Sequence, residues 1–149
     1  MSDDHHLPSV IELGTNLEDV VAPPPLPPGQ YRATVVSVVP TVSQSGNLYG
    51  KTVFRIDPSQ YPVDYAPDNA PNGKSLTYNR IIIDPKVLRG NKRAMFSLRQ
   101  WYEALSLPLA VTSVNVGDWV GREASLTISN RENRNSGIME EEIDRVNAV

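Results

Sequence analysis

The chain has 149 residues, a net charge of −3, no cysteine, 13 prolines and 40% hydrophobic residues. That length bounds one domain able to bury a sizeable core without staples, and the missing cysteines exclude disulfides, thiolate metal sites and a cysteine nucleophile. No apolar run approaches a membrane span and the N-terminus lacks a basic-then-apolar signal pattern, so a cytoplasmic protein without a membrane partner is expected.

The charge is partitioned along the chain. Residues 1–29 hold Asp3, Asp4, Glu12, Glu18 and Asp19 with no Lys or Arg, whereas residues 51–99 hold nine Lys or Arg against four Asp or Glu. Residues 100–149 return to an acidic balance, four against eight. A slightly acidic total thus conceals a basic centre suited to a polyanion.

In chain order, residues 1–28 read as an acidic, Pro-rich arm closed by Pro23-Pro24-Pro25-Leu26-Pro27-Pro28, a stiff polyproline-like connector. Within it, Val10-Ile11-Glu12-Leu13 is an apolar piece able to dock on the domain or on a partner. A single β domain is expected over residues 29–149. Two runs dense in β-branched residues, 30–39 and 51–56, predict a hairpin across a turn containing Gly46-Asn47 and Gly50. Alternation puts Tyr31, Ala33, Val35, Ser37 and Val39 on one face of the first strand. In the second it sets Thr52, Phe54 and Ile56 opposite Lys51, Val53 and Arg55, with Phe54 in the core.

Residues 57–73, rich in Pro, Asp and Asn, read as a long loop carrying Tyr61 and Tyr65. A third strand is expected over 75–83, with Leu76, Tyr78, Arg80 and Ile82 on one face. Asp84-Pro85 breaks it. Residues 91–107 predict a helix capped by Asn91, with Ala94, Leu98, Trp101, Tyr102 and Leu105 on its apolar side and Pro108 as its stop. A fourth strand follows, with Val120, Ala124, Leu126 and Ile128 as its inward row. A fifth, ending near Val146, is expected to carry a bulge or a charged edge.

Five strands with one helix between the third and fourth is the order of the oligonucleotide/oligosaccharide-binding barrel. The expected fold is therefore all-β with a small α content, a five-stranded OB-like barrel. The chain also resembles phage-encoded single-stranded-DNA-binding proteins across roughly residues 26–146. The resemblance is carried by Leu26-Pro27-Pro28-Gly29-Gln30-Tyr31, by Ser45-Gly46 ahead of Phe54-Arg55-Ile56, and by Gly117-Asp118-Trp119-Val120-Gly121-Arg122. Asn133-Arg134-Asn135-Ser136-Gly137 ahead of Ile143-Asp144-Arg145-Val146 completes it. It implies single-stranded DNA as partner, replication or recombination proteins as further partners, and the host cytoplasm as the location. A homo-oligomer is left open. Such families often carry an acidic C-terminal tail for recruitment, whereas here the acidic residues fall inside the expected last strand.

Sequence-tolerant binding of a single strand combines rings that stack bases with Lys and Arg that track phosphates. The candidate set is Tyr31, Arg32, Tyr49, Lys51, Arg55, Tyr78, Arg80, Lys86, Arg89, Lys92 and Arg93. Tyr78 is left between a stacking ring and a core residue, and Lys86, Arg89, Lys92 and Arg93 between a phosphate cluster and a solvated start of the helix. Trp101 and Tyr102 read as core. No catalytic residue, metal site or cofactor is implied: His5 and His6 sit in the arm, Glu140-Glu141-Glu142 reads as a solvated strand edge, and phosphate loops and nucleophile elbows are absent. A binding protein is therefore expected rather than an enzyme. Two other readings stay open: a virion or assembly component whose arm locks neighbours together, and an adaptor whose Pro23–Pro28 segment fits an aromatic groove. The arm's charge, opposite to that of the domain centre, predicts that it competes with nucleic acid and that removing residues 1–26 tightens binding at low salt.

Overall fold

The computed structural model describes residues 7–149, so His5 and His6 lie outside the described residues. Five antiparallel strands, β1 (Gly29–Val42), β2 (Leu48–Ile56), β3 (Lys74–Tyr78), β4 (Glu123–Glu132) and β5 (Met139–Asn147), form one sheet in the order β3-β2-β1-β4-β5. Two helices, the single-turn α1 (Pro85–Leu88) and the main helix α2 (Lys92–Ala104), lie between β3 and β4. The fold is thus the expected OB-like arrangement, with one difference: the barrel is not closed. The edges β3 and β5 meet through side chains rather than a ladder, with Lys74 Nζ 2.9 Å from Glu141 Oε2 and Arg80 Nη2 3.3 Å from Glu142 Oε1. No helix among the described residues is long and apolar enough to cross a membrane.

In β1, Tyr31, Ala33 and Val35 face the core as alternation predicts. A bulge at Val36 then interrupts the ladder, because Val35 pairs with Phe54 but Ser37 with Val53. One extra residue flips every side chain beyond it. Val38 therefore packs against the core while Val39 is 54% exposed, correcting the expected row through Ser37 and Val39. β2 keeps its alternation, with Thr52, Phe54 and Ile56 buried and Lys51 and Arg55 exposed. Gly50 is required here: a Cβ on it would stand 2.7 Å from Cζ3 of Trp119.

The long loop is folded. Short 3-10 turns at Pro58–Gln60 and Pro67–Asn69 bring Tyr65 into the core with its ring edge-on to Tyr61. The third strand is shorter than expected and ends at Tyr78. The chain resumes alongside β2 through the Tyr49–Ile82 bridge, the Gly50 amide donating to Ile81 O and the Ile83 amide to Leu48 O. This break shifts the phase, so Ile81 and Ile83 are buried in place of Arg80 and Ile82.

Asn91 caps α2 as expected, its side chain accepting from the amides of Arg93 and Ala94. The helix stops before Pro108 for a local reason. Ser106 adopts a φ of 56°, its amide donates to Glu103 O and that of Leu107 to Tyr102 O, the left-handed cap that glycine usually supplies. Trp101 of α2 plugs the open barrel, packing edge-on to Phe54 and Trp119 and flat against Tyr78. Before β4, a 3-10 turn at Val116–Trp119 buries Trp119 and leaves Val120 47% exposed. The inward row therefore begins with Trp119 rather than Val120 and continues through Ala124, Leu126 and Ile128. β5 carries the expected bulge, at Asp144, which accepts from Ser129 Oγ.

The arm joins the core at Leu26, which is fully buried. Its amide donates to Glu141 Oε2 at 2.8 Å and its carbonyl accepts from Asn130 Nδ2 at 2.9 Å. A truncation through residue 26 would remove this core side chain together with the arm. N-terminal to it, Val10, Ile11 and Leu13 are exposed rather than packed on the domain.

Candidate nucleic-acid interface

Residues directly opposed in an antiparallel ladder share a face. The register sets Arg55 between Thr34 and Ser75, Val53 between Ser37 and Thr77, Lys51 beside Val39, and Tyr49 beside Thr41. The outer surface of β1, β2 and β3 thus carries a line of Tyr49, Lys51, Val53 and Arg55 along β2, flanked by hydroxyl side chains. Lys51 and Arg55 are roughly 13 Å apart along the strand, and neither enters an ion pair among the described residues. The stem of Arg55 runs over Gly73, where an added Cβ would come within 2.8 Å of Arg55 Cγ. Beyond the strand end, hydrogen bonds from Ser59, and next the charge of Arg55, hold the Asp57 carboxyl below its ordinary range.

Two other candidates on β1 behave differently. Arg32 is exposed, but Glu123 neutralises it at 2.7 Å. Tyr31 is 6% exposed and its hydroxyl donates to Pro27 O at 2.7 Å. Its place in the stacking set is therefore corrected: alternation turns the ring inward, where it packs in the core. Burial foremost, then the charges of Asp64 and Tyr65, push its hydroxyl above the usual tyrosine value.

Tyr78 and Arg80 are not on the outer face. Tyr78 lies opposite Thr52 on the inward side, half-buried, its ring 5.4 Å from that of Trp101 and inclined by 7°. Arg80 follows the end of the β3 ladder and turns across the open seam, with Cζ 5.6 Å from the Tyr78 centroid and its guanidinium shared with Glu142. Beside them a groove of about 710 Å³ opens between α2 and the end of β5, with Phe96, Gln100 and Arg145 among its lining residues. Phe96 is 56% exposed. Phe96 and Arg145 were not among the sequence candidates. A signal for Phe96 did exist, since a phenylalanine stands outside the helix's apolar row of Ala94, Leu98, Trp101, Tyr102 and Leu105.

Lys86, Arg89, Lys92 and Arg93 form a third group around the α1–α2 turn, all exposed and none in an ion pair among the described residues. The sequence candidates are thus divided among the β2 face, the β3–β5 seam and the start of α2.

No cluster of three or more His, Asp or Glu with the geometry to hold a metal ion occurs among the described residues. The three glutamates of β5 are structural partners. Glu140 accepts from Asn133, and Glu142 meets Arg80 and Arg131. The Glu141 side chain is only 7% exposed, which corrects the solvated-edge reading at that position. Comparison with known protein families and with curated proteins finds no match for this chain.

Proposed function

We propose that this is a phage single-stranded-DNA-binding protein, sequence-tolerant and non-enzymatic, acting in DNA replication or recombination. The strand would run over the outer face of β1, β2 and β3. One observation carries this reading: the two cations Lys51 and Arg55, unpaired among the described residues, share one face of β2 with the half-buried Tyr49. In OB folds this is the region that receives oligonucleotides, together with the β1–β2 and β4–β5 loops. A basic surface favours a polyanion over a neutral oligosaccharide.

Titration of a labelled oligothymidylate across a salt series tests the proposal. Affinity should fall with salt at a slope of roughly −0.7 per phosphate neutralised, and Lys51→Ala and Arg55→Ala should each flatten it. Arg80→Ala should change it less, because Glu142 already shares that charge. Tyr49→Ala should leave the slope intact and cost ~1–3 kcal/mol as a stacked base is lost. Duplex DNA should bind more weakly. Equal affinity for both forms, with no loss in Tyr49→Ala, would reduce the interface to generic charge attraction and sink the proposal. A virion or assembly role is the second reading, and it is favoured by the apolar residues that the arm leaves exposed.

A further inference from the structure

The single chain leaves two apolar surfaces uncovered, and they are complementary. The first is the arm. Leu7, Val10, Ile11, Leu17 and Val21 are each 70% or more exposed, and residues 7–25 hold Glu12, Glu18 and Asp19 but no Lys or Arg. The second is a groove of about 600 Å³ between α2 and the segment after it, lined by Leu88, Met95, Leu98, Leu109 and Val111 among others. Among the described residues the charged side chains lining it are Arg89, which enters no ion pair there, and Arg99, whose Nε lies 3.4 Å from Glu103 Oε1. Residues 85–99 around it contain five Lys or Arg and no acidic residue.

We propose that this groove receives the acidic, apolar arm of a second copy of the chain. Three observations select that occupant. The groove's guanidinium groups meet an apolar segment of opposite charge, whereas the groove beside Phe96 is lined by both signs, with Glu103 and Asp144 as well as Arg80 and Arg145. The arm is fixed at Leu26 by Glu141 and Asn130, so it leaves the domain from a set point. It then passes through Pro23-Pro24-Pro25, a stiff extended spacer that rises ~3.1 Å per residue. Twelve residues lie between Leu13 and Leu26, with one 3-10 turn at Leu17–Asp19, and they can span at most roughly 40 Å. That reach is ample beside the roughly 14 Å radius of gyration of a domain this size, and Val10, Ile11 and Leu13 stay exposed instead of packing on their own domain, which leaves the apolar stretch for a neighbour. The basic turn at Lys86–Arg93 then serves the arm, independently of any DNA path over β2.

Full-length variants test this by sedimentation velocity across a dilution series. The unaltered chain should associate reversibly above its 16.4 kDa monomer mass. Val10→Asp with Ile11→Asp, which disables the arm, and Val111→Asp, which disables the groove, should each sediment as monomers. Mixing the two should restore a heterodimer, because one supplies the arm and the other the groove. Arg89→Glu with Arg99→Glu should also abolish association, and Glu12→Lys with Glu18→Lys in the same chain should restore it. All these positions are at least partly exposed, and Leu109→Asp repeats the groove test should Val111→Asp fail to fold. An unaltered chain that stays monomeric throughout, as an arm folded back on its own domain would make it, overturns the proposal. So do association that survives in the arm variant and a mixture that stays monomeric.

Discussion

Glu141 bridges the open β3–β5 seam and anchors the arm at once, so removing its carboxylate tests how this fold is held together. One oxygen, Oε2, accepts from the Leu26 amide at 2.8 Å and from Lys74 Nζ at 2.9 Å, in a side chain only 7% exposed. Glu141→Ala leaves the part-buried Leu26 amide without an acceptor, which costs about 1–3 kcal/mol. Lys74 is 25% exposed and regains water, so its lost ion pair adds at most ~1 kcal/mol. The lost methylene adds ~0.8 kcal/mol, while relief of the carboxylate's desolvation offsets part of the sum. The expected loss is about 3 kcal/mol, or roughly 6–12 °C in Tm for a domain of this size. Glu141→Gln retains an acceptor for the amide and should lose only ~1 kcal/mol. Urea and thermal melts followed by circular dichroism measure both variants, and hydrogen exchange at the Leu26 amide should accelerate in the alanine variant alone. A Glu141→Ala loss below about 0.5 kcal/mol, or a glutamine variant as costly as the alanine, would refute the shared-acceptor account.

Gly50→Ala should destabilise the fold by ~1–3 kcal/mol and perturb the near-UV tryptophan signal, because its Cβ would meet Trp119 at 2.7 Å. Ser106→Gly should stabilise it by ~0.5–1 kcal/mol in urea melts, since glycine relieves the left-handed φ of 56° at the end of α2. Stability should decline in alkali: burial foremost holds the Tyr31 and Tyr61 hydroxyls above the ordinary tyrosine value, so the folded chain binds these protons more tightly than the unfolded chain. That contribution is whole below about pH 10 and is lost as pH rises through the folded values. Urea midpoints compared at about pH 8 and about pH 11 should fall less in Tyr31→Phe than in the parent, and an equal fall would exclude Tyr31 as a source.

Local chemistry in the sequence determined the order of the elements, the Asn91 cap, the inward set Thr52, Phe54 and Ile56, and the core role of Trp101. Each follows from a period of two or 3.6 or from one side chain reaching its own backbone, and those signals need no distant partner. Tertiary structure decided the rest. The bulge at Val36 and the break after Tyr78 each shift the phase of a strand, and neither leaves a mark in the residue pattern because both arise from how neighbouring strands pair. These shifts explain why Ser37 and Val39 face outward, and why Ile81 and Ile83 are buried in place of Arg80 and Ile82. Tyr31 follows its alternation but is lost as a ring for stacking, because only the folded core shows which side is wet. The same holds for Glu141: three consecutive glutamates look alike in sequence, and only the approach of β3 and the arm to β5 makes the middle one a buried anchor. Charge pattern alone separated an acidic arm from a basic centre, but the groove that can receive the arm exists only once α2 and the segment after it are packed side by side.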